Sequence, residues 1–260
     1  MVLPFQISSV EHFALVFIRV SAALAVLPVF RHRAVPASWK AALAIAISLL
    51  IAPTIVPAQL PGTGTIADYL IVGLSETVCG LLMGFAGQFV FFAIDICGRI
   101  LGLQSGLSIV ATIDPNSDTQ SDVLTQVYEL LAILVFLSLD GHLMMLQAVR
   151  SSFDAVAIGS LSMDGKLADW SVSQAGLVLA RGVQLAAPMM VTLLLTDVAL
   201  GILTRVAPTM NVFVLGFPLK IGITLLFASL TASMIAGIFA SQYASFMKGF
   251  PEFLRLLGGN

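Results

Sequence analysis

Charge is what this chain has least of. Across 260 residues there are twelve Lys/Arg and fourteen Asp/Glu, 10% of the total, against about 25% in an ordinary soluble domain. So few charged groups cannot cover a water-facing surface, which excludes a soluble globular enzyme and an intrinsically disordered chain. A net charge of −2 leaves no basic surface, so no nucleic acid is expected as a partner. Cysteine is scarce too. Cys79 and Cys97 lie in apolar stretches, too far apart for a redox or zinc motif, and are expected to pack as small hydrophobes. The three histidines, His12, His32 and His142, have no metal-ligand spacing. The start, MVLPFQISSVEHF, lacks a basic leader region, and Pro4, Glu11 and Arg19 interrupt any short apolar core. It does not resemble a cleaved signal peptide.

What is abundant is apolar residue, 58% of the chain, with a mean hydropathy of +1.03. The expectation is an all-α integral membrane protein forming a single domain over residues 1–260. Apolar runs at 13–30, 41–57, 69–94, 96–113, 123–149, 177–203 and 221–247 are separated by charges and prolines. About 20 apolar residues span a hydrocarbon core as a helix, and most runs qualify. None alternates with period two, so helices are favoured over a barrel. The last run would be a helix about 40 Å long, longer than a core of about 30 Å. It and 177–203 are expected to form a helical hairpin about a turn at 204–220.

Lys and Arg in short loops mark the cytoplasmic side. Loop 31–40 carries Arg31, Arg33 and Lys40, and turn 204–220 carries Arg205 and Lys220. Both lie on one side only if residues 96–122 enter the membrane without crossing it, with 150–176 outside. The same count leaves Lys248 and Arg255 outside. Residues 96–122 are dense in glycine and then turn polar through Thr112, Asp114, Pro115, Asn116 and Ser117. They could form a re-entrant segment lining or blocking a pathway, or an ordinary polar loop. The expected fold is thus one of long kinked helices and helical hairpins with a broken, re-entrant middle segment.

Gly80 and Gly84, Gly98 and Gly102, and Gly102 and Gly106 recur at four-residue spacing, which lets helix backbones approach closely. Ala232, Ala236, Ala240 and Ala244 repeat that spacing. Charges inside the apolar runs (Arg19, Glu76, Asp95, Arg99, Glu129, Asp140, Arg181 and Asp197) need partners or water. Asp95 and Arg99, four apart on one helix face, are expected to neutralise each other as an intramembrane charge pair; an ion relay is the alternative. No HExxH, phosphate-binding lysine loop or GxSxG elbow is present. Only Ser105 and the distant His142 could be stretched into a hydrolytic dyad. No catalytic, cofactor or metal residue is expected.

Two stretches carry a resemblance. LPVFRHRAVPASWKAALAIAISLLIAP (27–53) and LLMGFAGQFVFFAIDICGRILGLQSGLSIVATIDP (81–115) resemble the FliR family, the R subunit of the flagellar type III protein-export gate. The arrangement in 84–117 is the most specific part: GFAGQF, a glycine-rich segment, then DPN. The resemblance implies a non-enzymatic subunit without cofactors in the bacterial inner membrane, at the flagellar basal body. It implies assembly with P-type (FliP-like) and Q-type (FliQ-like) subunits into a closed gate, an associated B-type (FlhB-like) switch protein, membrane lipid, and unfolded flagellar proteins as substrates. Residues 1–176 would resemble a P-type subunit and 177–260 a Q-type hairpin. A pore plug would fall on 106–121, chiefly Gly106, Leu107, Ser108, Ile109, Val110, Ala111, Thr112, Ile113, Asp114, Pro115, Asn116 and Ser117. A stand-alone secondary transporter, with a site near Asp95, Arg99 and Asp140, is the alternative of a different class.

Overall fold

The computed structural model describes residues 7–27, 36–55, 65–108, 123–162, 165–209 and 211–259. Among these the chain is helical, with no strand: α1 (Ile7–Val26), α2 (Ala37–Ile51) followed by a 3-10 turn (Ala52–Thr54), α3 (Ile66–Ser105), α4 (Val123–Ser138), α5 (Gly141–Ala155), α6 (Gly165–Val206) and α7 (Val212–Leu257). Four helical stretches are long and apolar enough to cross a membrane: Ala37–Thr54, Ile66–Ser105, Gly165–Val206 and Val214–Leu257. A fifth exists if Val123–Ser138 and Gly141–Ala155 form one broken span. The protein is an all-α membrane protein.

Several boundaries differ from the sequence expectation. The runs 69–94 and 96–113 are not separate: α3 passes through Asp95 and Arg99 without a break and ends at Ser105. Their i, i+4 ion pair removes the charge that suggested a boundary. Residues 96–105 are therefore helix, and a re-entrant segment can begin only after Ser105. The run 123–149 is two helices, because Asp140 takes a left-handed φ of 55° that no helix can continue through. Segment 150–176 is mostly helix, with a connection at 156–162. The turn expected at 204–220 is shorter, since 204–206 end α6 and VLGFPLK (214–220) lies within α7.

Local chemistry explains where α3 starts and stops. The Asp68 amide donates to Thr65 Oγ1 at 3.4 Å, the Thr65 amide to Asp68 Oδ2 at 3.2 Å, and the Thr65 hydroxyl to the same oxygen at 2.7 Å. This reciprocal cap satisfies two orphan donors of the first turn. At the other end Gly106 has φ +84°, the left-handed exit that glycine adopts without steric cost.

The chain divides into two compact units. One comprises Met1–Phe89, Asp140–Ser173 and Ser245–Asn260. Its buried core includes Val16, Val20 and Ala23 of α1 and Cys79, Met83 and Ala86 of α3. An aromatic chain runs from Phe89 to Trp170 (5.9 Å between ring centres) and on to Phe253 (4.6 Å). The other comprises Val90–Leu139 and Gln174–Ala244. Phe91 meets Phe136 at 5.5 Å and Phe239 at 5.1 Å, and Tyr243 closes on Phe136 at 5.3 Å. Cys79 and Cys97 are buried free thiols.

Candidate functional site

Lipid tails are as apolar as leucine, so close packing and polar bonds hold membrane helices together more than hydrophobicity does. The polar bonds here converge on one side chain that short-range sequence rules do not pair. Arg19 of α1 is fully buried. Its Nε donates to Glu76 Oε2 at 2.6 Å and its Nη2 to Glu76 Oε1 at 3.0 Å. Nη1 donates to the carbonyls of Ser152 (3.3 Å) and Val156 (3.0 Å), in the last turn and at the C-cap of α5. The guanidinium carbon lies 4.1 Å from the centre of the Phe153 ring. Glu76 Oε1 also accepts the Gly159 amide at 2.9 Å. A bidentate, desolvated ion pair thus joins α1 to α3 and caps the C-terminus of α5, where a cation meets the negative end of the helix dipole. The sequence signal was present: each charge stands alone in its own apolar run, and each is too costly there without the other.

Gly80 and Gly84 lie on the face of α3 that meets α1. A Cβ on Gly80 would stand 2.8 Å from Ala22 Cβ and would also collide with the Arg19 carbonyl oxygen. One on Gly84 would stand 2.6 Å from the Ala23 oxygen and 2.8 Å from Val26 Cβ. The two backbones therefore touch beside the Arg19–Glu76 pair. Gly98 meets α4, where a Cβ would stand 2.7 Å from Thr125 Cα. Gly102 is buried, and its carbonyl accepts the Ser105 hydroxyl at 3.0 Å. That bond occupies the hydroxyl that a hydrolytic dyad would need. Arg99 Nε donates to Asp95 Oδ2 at 2.9 Å on a half-exposed face.

Of the twelve residues expected to plug a pore, Gly106, Leu107 and Ser108 are described. Ile109, Val110, Ala111, Thr112, Ile113, Asp114, Pro115, Asn116 and Ser117 lie outside the described residues. The root of the segment is held twice. Gln104 Nε2 donates to the Met190 carbonyl of α6 at 3.0 Å. The Phe217 ring of α7 lies so close to Gly106 that a Cβ there would sit 2.6 Å from Cε1. The hairpin that holds this root is itself tied by an ion pair between Lys220 and Asp197, and by Leu200 against Gly216. Among the described residues, no group of three His, Cys, Asp or Glu could hold a metal. Among the described residues Arg19 pairs with Glu76, Arg99 with Asp95, Arg150 with Asp154 and Lys220 with Asp197, which suits a scaffold.

The family comparison decides what such a scaffold is. Residues 10–246 match the model of "Bacterial export proteins, family 1". The chain belongs to this family. Among curated relatives, the "Flagellar biosynthetic protein FliR" of Escherichia coli (strain K12) is 36% identical over 214 residues, 81% of each chain. The FliR protein of Bacillus subtilis (strain 168) is 30% identical over 249 residues, 95% of each chain. That of Pectobacterium carotovorum is 31% identical over 230 residues, 88% of this chain and 87% of the relative. In this family member Arg19, Glu76, Asp95, Arg99 and the glycines from Gly80 to Gly106 all fall within the matched span.

Proposed function

We propose that this chain is the R-type subunit of a flagellar protein-export gate. It is a component of the flagellar export apparatus and not an enzyme. The observation that carries the proposal is the match over residues 10–246, joined to FliR relatives aligned along 81% and 95% of their own length. In this reading the chain sits in the inner membrane and assembles with P-type and Q-type subunits and a B-type switch protein. Residues 1–176 supply the P-like part and 177–260 the Q-like hairpin. Unfolded flagellar proteins pass through the assembled pore, and residues 106–117 close it. A gate for unfolded chain needs a narrow, deformable constriction without strong side-chain binding sites, and few charges with many glycines suit that. The stand-alone transporter is not favoured, since the matched family consists of export proteins.

Deletion of residues 110–120 tests the plug. The expected result is leakage of small ions through the membrane while P-type and Q-type subunits still co-purify with the chain. A tight membrane with normal export would remove the plug assignment. Failure to co-purify either partner from wild-type cells would remove the gate reading itself.

A further inference from the structure

We infer that Glu129 and the apolar face of α4 beside it form a docking surface for a membrane helix of another protein. That helix carries a lysine or arginine within its span and sets it against the Glu129 carboxylate. The inference rests on the membrane reading of the fold and identifies the partner by its charge alone.

Other charges inside the apolar helices are answered within the chain. Arg19 pairs with Glu76, Arg99 with Asp95 and Lys220 with Asp197. Among the described residues the Glu129 side chain has no ion pair and no hydrogen bond. It is the sole charged residue of α4 (Val123–Ser138), and it stands about 9 Å from the start of that helix at 1.5 Å per residue. Its stem is shorter than those of lysine and arginine, which lift a charge to an interface. The packing of α3 gives its level. A Cβ on Gly98 would stand 2.7 Å from Thr125 Cα, and Phe91 meets Phe136 at 5.5 Å, so α4 runs antiparallel to α3. Glu129, one turn beyond Thr125, is therefore level with Asp95 and Arg99, inside the long apolar α3.

The surroundings select the occupant. Glu129 is exposed at the edge of a face formed by Val123, Val127, Leu130, Leu134 and Leu137, all exposed. Hydrocarbon suits those five and not the carboxylate, which is costly in a membrane without a partner. Water suits the carboxylate and not an uninterrupted face of valine and leucine. A protein helix suits both: its apolar side chains cover the face, and one basic side chain answers the charge. Such a pair also sets register and choice of partner, because an apolar helix without the base leaves Glu129 stranded. Arg181 of α6 also has no ion pair or hydrogen bond through its side chain among the described residues. A Cβ on Gly182 would stand 2.8 Å from Ile96 Cγ2, so Arg181 lies at the same level, but its long stem can carry its charge toward an interface. Glu129 cannot escape in that way.

The test uses the full chain in cells that make its natural partners. The photoreactive residue p-benzoylphenylalanine is placed singly at Val127 and Leu130, and the crosslinked peptides are identified by mass spectrometry. The expected product joins α4 to an apolar membrane helix of another protein with a lysine or arginine inside its span. Glu129→Lys should lower that crosslink at least tenfold, and changing the partner's base to glutamate in the same cells should restore it to within twofold. Glu129→Gln should leave the thermal midpoint of the chain purified alone unchanged, since nothing inside the chain leans on the carboxylate. Crosslinks to no protein, or to a helix without a base, would overturn the inference while subunits that still co-purify keep the gate reading standing. So would a charge exchange that fails to restore the crosslink. A lowered midpoint for Glu129→Gln, or one coupled to that of Arg181→Gln, would mean that the chain answers Glu129 itself, and the inference falls. Absence of any co-purifying subunit from wild-type cells removes both readings. If either labelled chain fails to express, Leu134 samples the same face.

Discussion

Arg19 is completely buried, and a buried charge has to be answered by partners. Glu76 supplies two carboxylate oxygens, Val156 supplies a carbonyl at the end of α5, and the Ser152 carbonyl, already bonded to the Val156 amide, accepts Arg19 as a second donor. Removing one member of a buried pair typically costs about 3–5 kcal/mol, because the other charge is stranded. Arg19→Ala strands Glu76 and the Val156 carbonyl together. Glu76→Gln strands less, since one side-chain oxygen still accepts. The expected order of thermal midpoints in detergent is wild type, then Glu76→Gln, then Arg19→Ala. The double variant Arg19→Met/Glu76→Leu should recover only part of the loss, because the Val156 carbonyl and the Gly159 amide lose their partners at about 1–3 kcal/mol each. Full recovery would mean that Arg19 acts on Glu76 alone and does not cap α5. Sequence reading found both charges and not their pairing. They are 57 residues apart, and the spacing rules that identified Asp95 with Arg99 reach only one helical turn.

At the scale of elements, the glycines divide by what lies opposite them. Gly80 and Gly84 of α3 face α1 backbone, which cannot rotate away, whereas Gly201 of α6 has nothing within 4 Å. Gly84→Ala should therefore destabilise the isolated chain, while Gly201→Ala should stabilise it by up to about 1 kcal/mol through helix propensity; thermal midpoints of the two variants check this. Equal shifts would mean that the α1–α3 approach is looser than its geometry. Gly106 combines two constraints, a left-handed φ and the Phe217 ring. Gly106→Ala should lower stability by at least the roughly 1–2 kcal/mol of a left-handed non-glycine residue. Adding Phe217→Leu should return only the steric part, so a double variant as stable as wild type would show that φ carries no cost there. The same elements show what was legible. Apolar runs located the spanning helices, because hydropathy is a property of the segment itself. Their ends were misplaced wherever a charge was read as punctuation. Asp95 and Arg99 cancel inside α3, and Lys220 answers Asp197 across the hairpin, so those helices run on. Asp140 broke a run that looked continuous, because a backbone reversal leaves no trace in hydropathy.

For the molecule as a whole, the question is whether lipid alone can solvate what the chain leaves uncovered. Along α6, large apolar side chains are exposed from Leu177 to Val206, about 44 Å of helix at 1.5 Å per residue. Fitting that into a core of about 30 Å needs a tilt of about 47°, beyond the usual range of roughly 0–40°. Asp197 adds a side chain 42% exposed in the same stretch, paired to Lys220, and an ion pair facing hydrocarbon is costly. A bilayer therefore covers this helix badly, and another protein with apolar helices of similar length covers it well. The chain produced alone in mild detergent should be polydisperse and should lose its fold at lower temperature than the same chain produced with P-type and Q-type subunits. Size-exclusion profiles and thermal midpoints of the two preparations give the comparison. A monodisperse chain, equally stable without partners, would mean that α6 is already covered by lipid or by its own fold. The proposed place of the hairpin in a shared gate would then be lost.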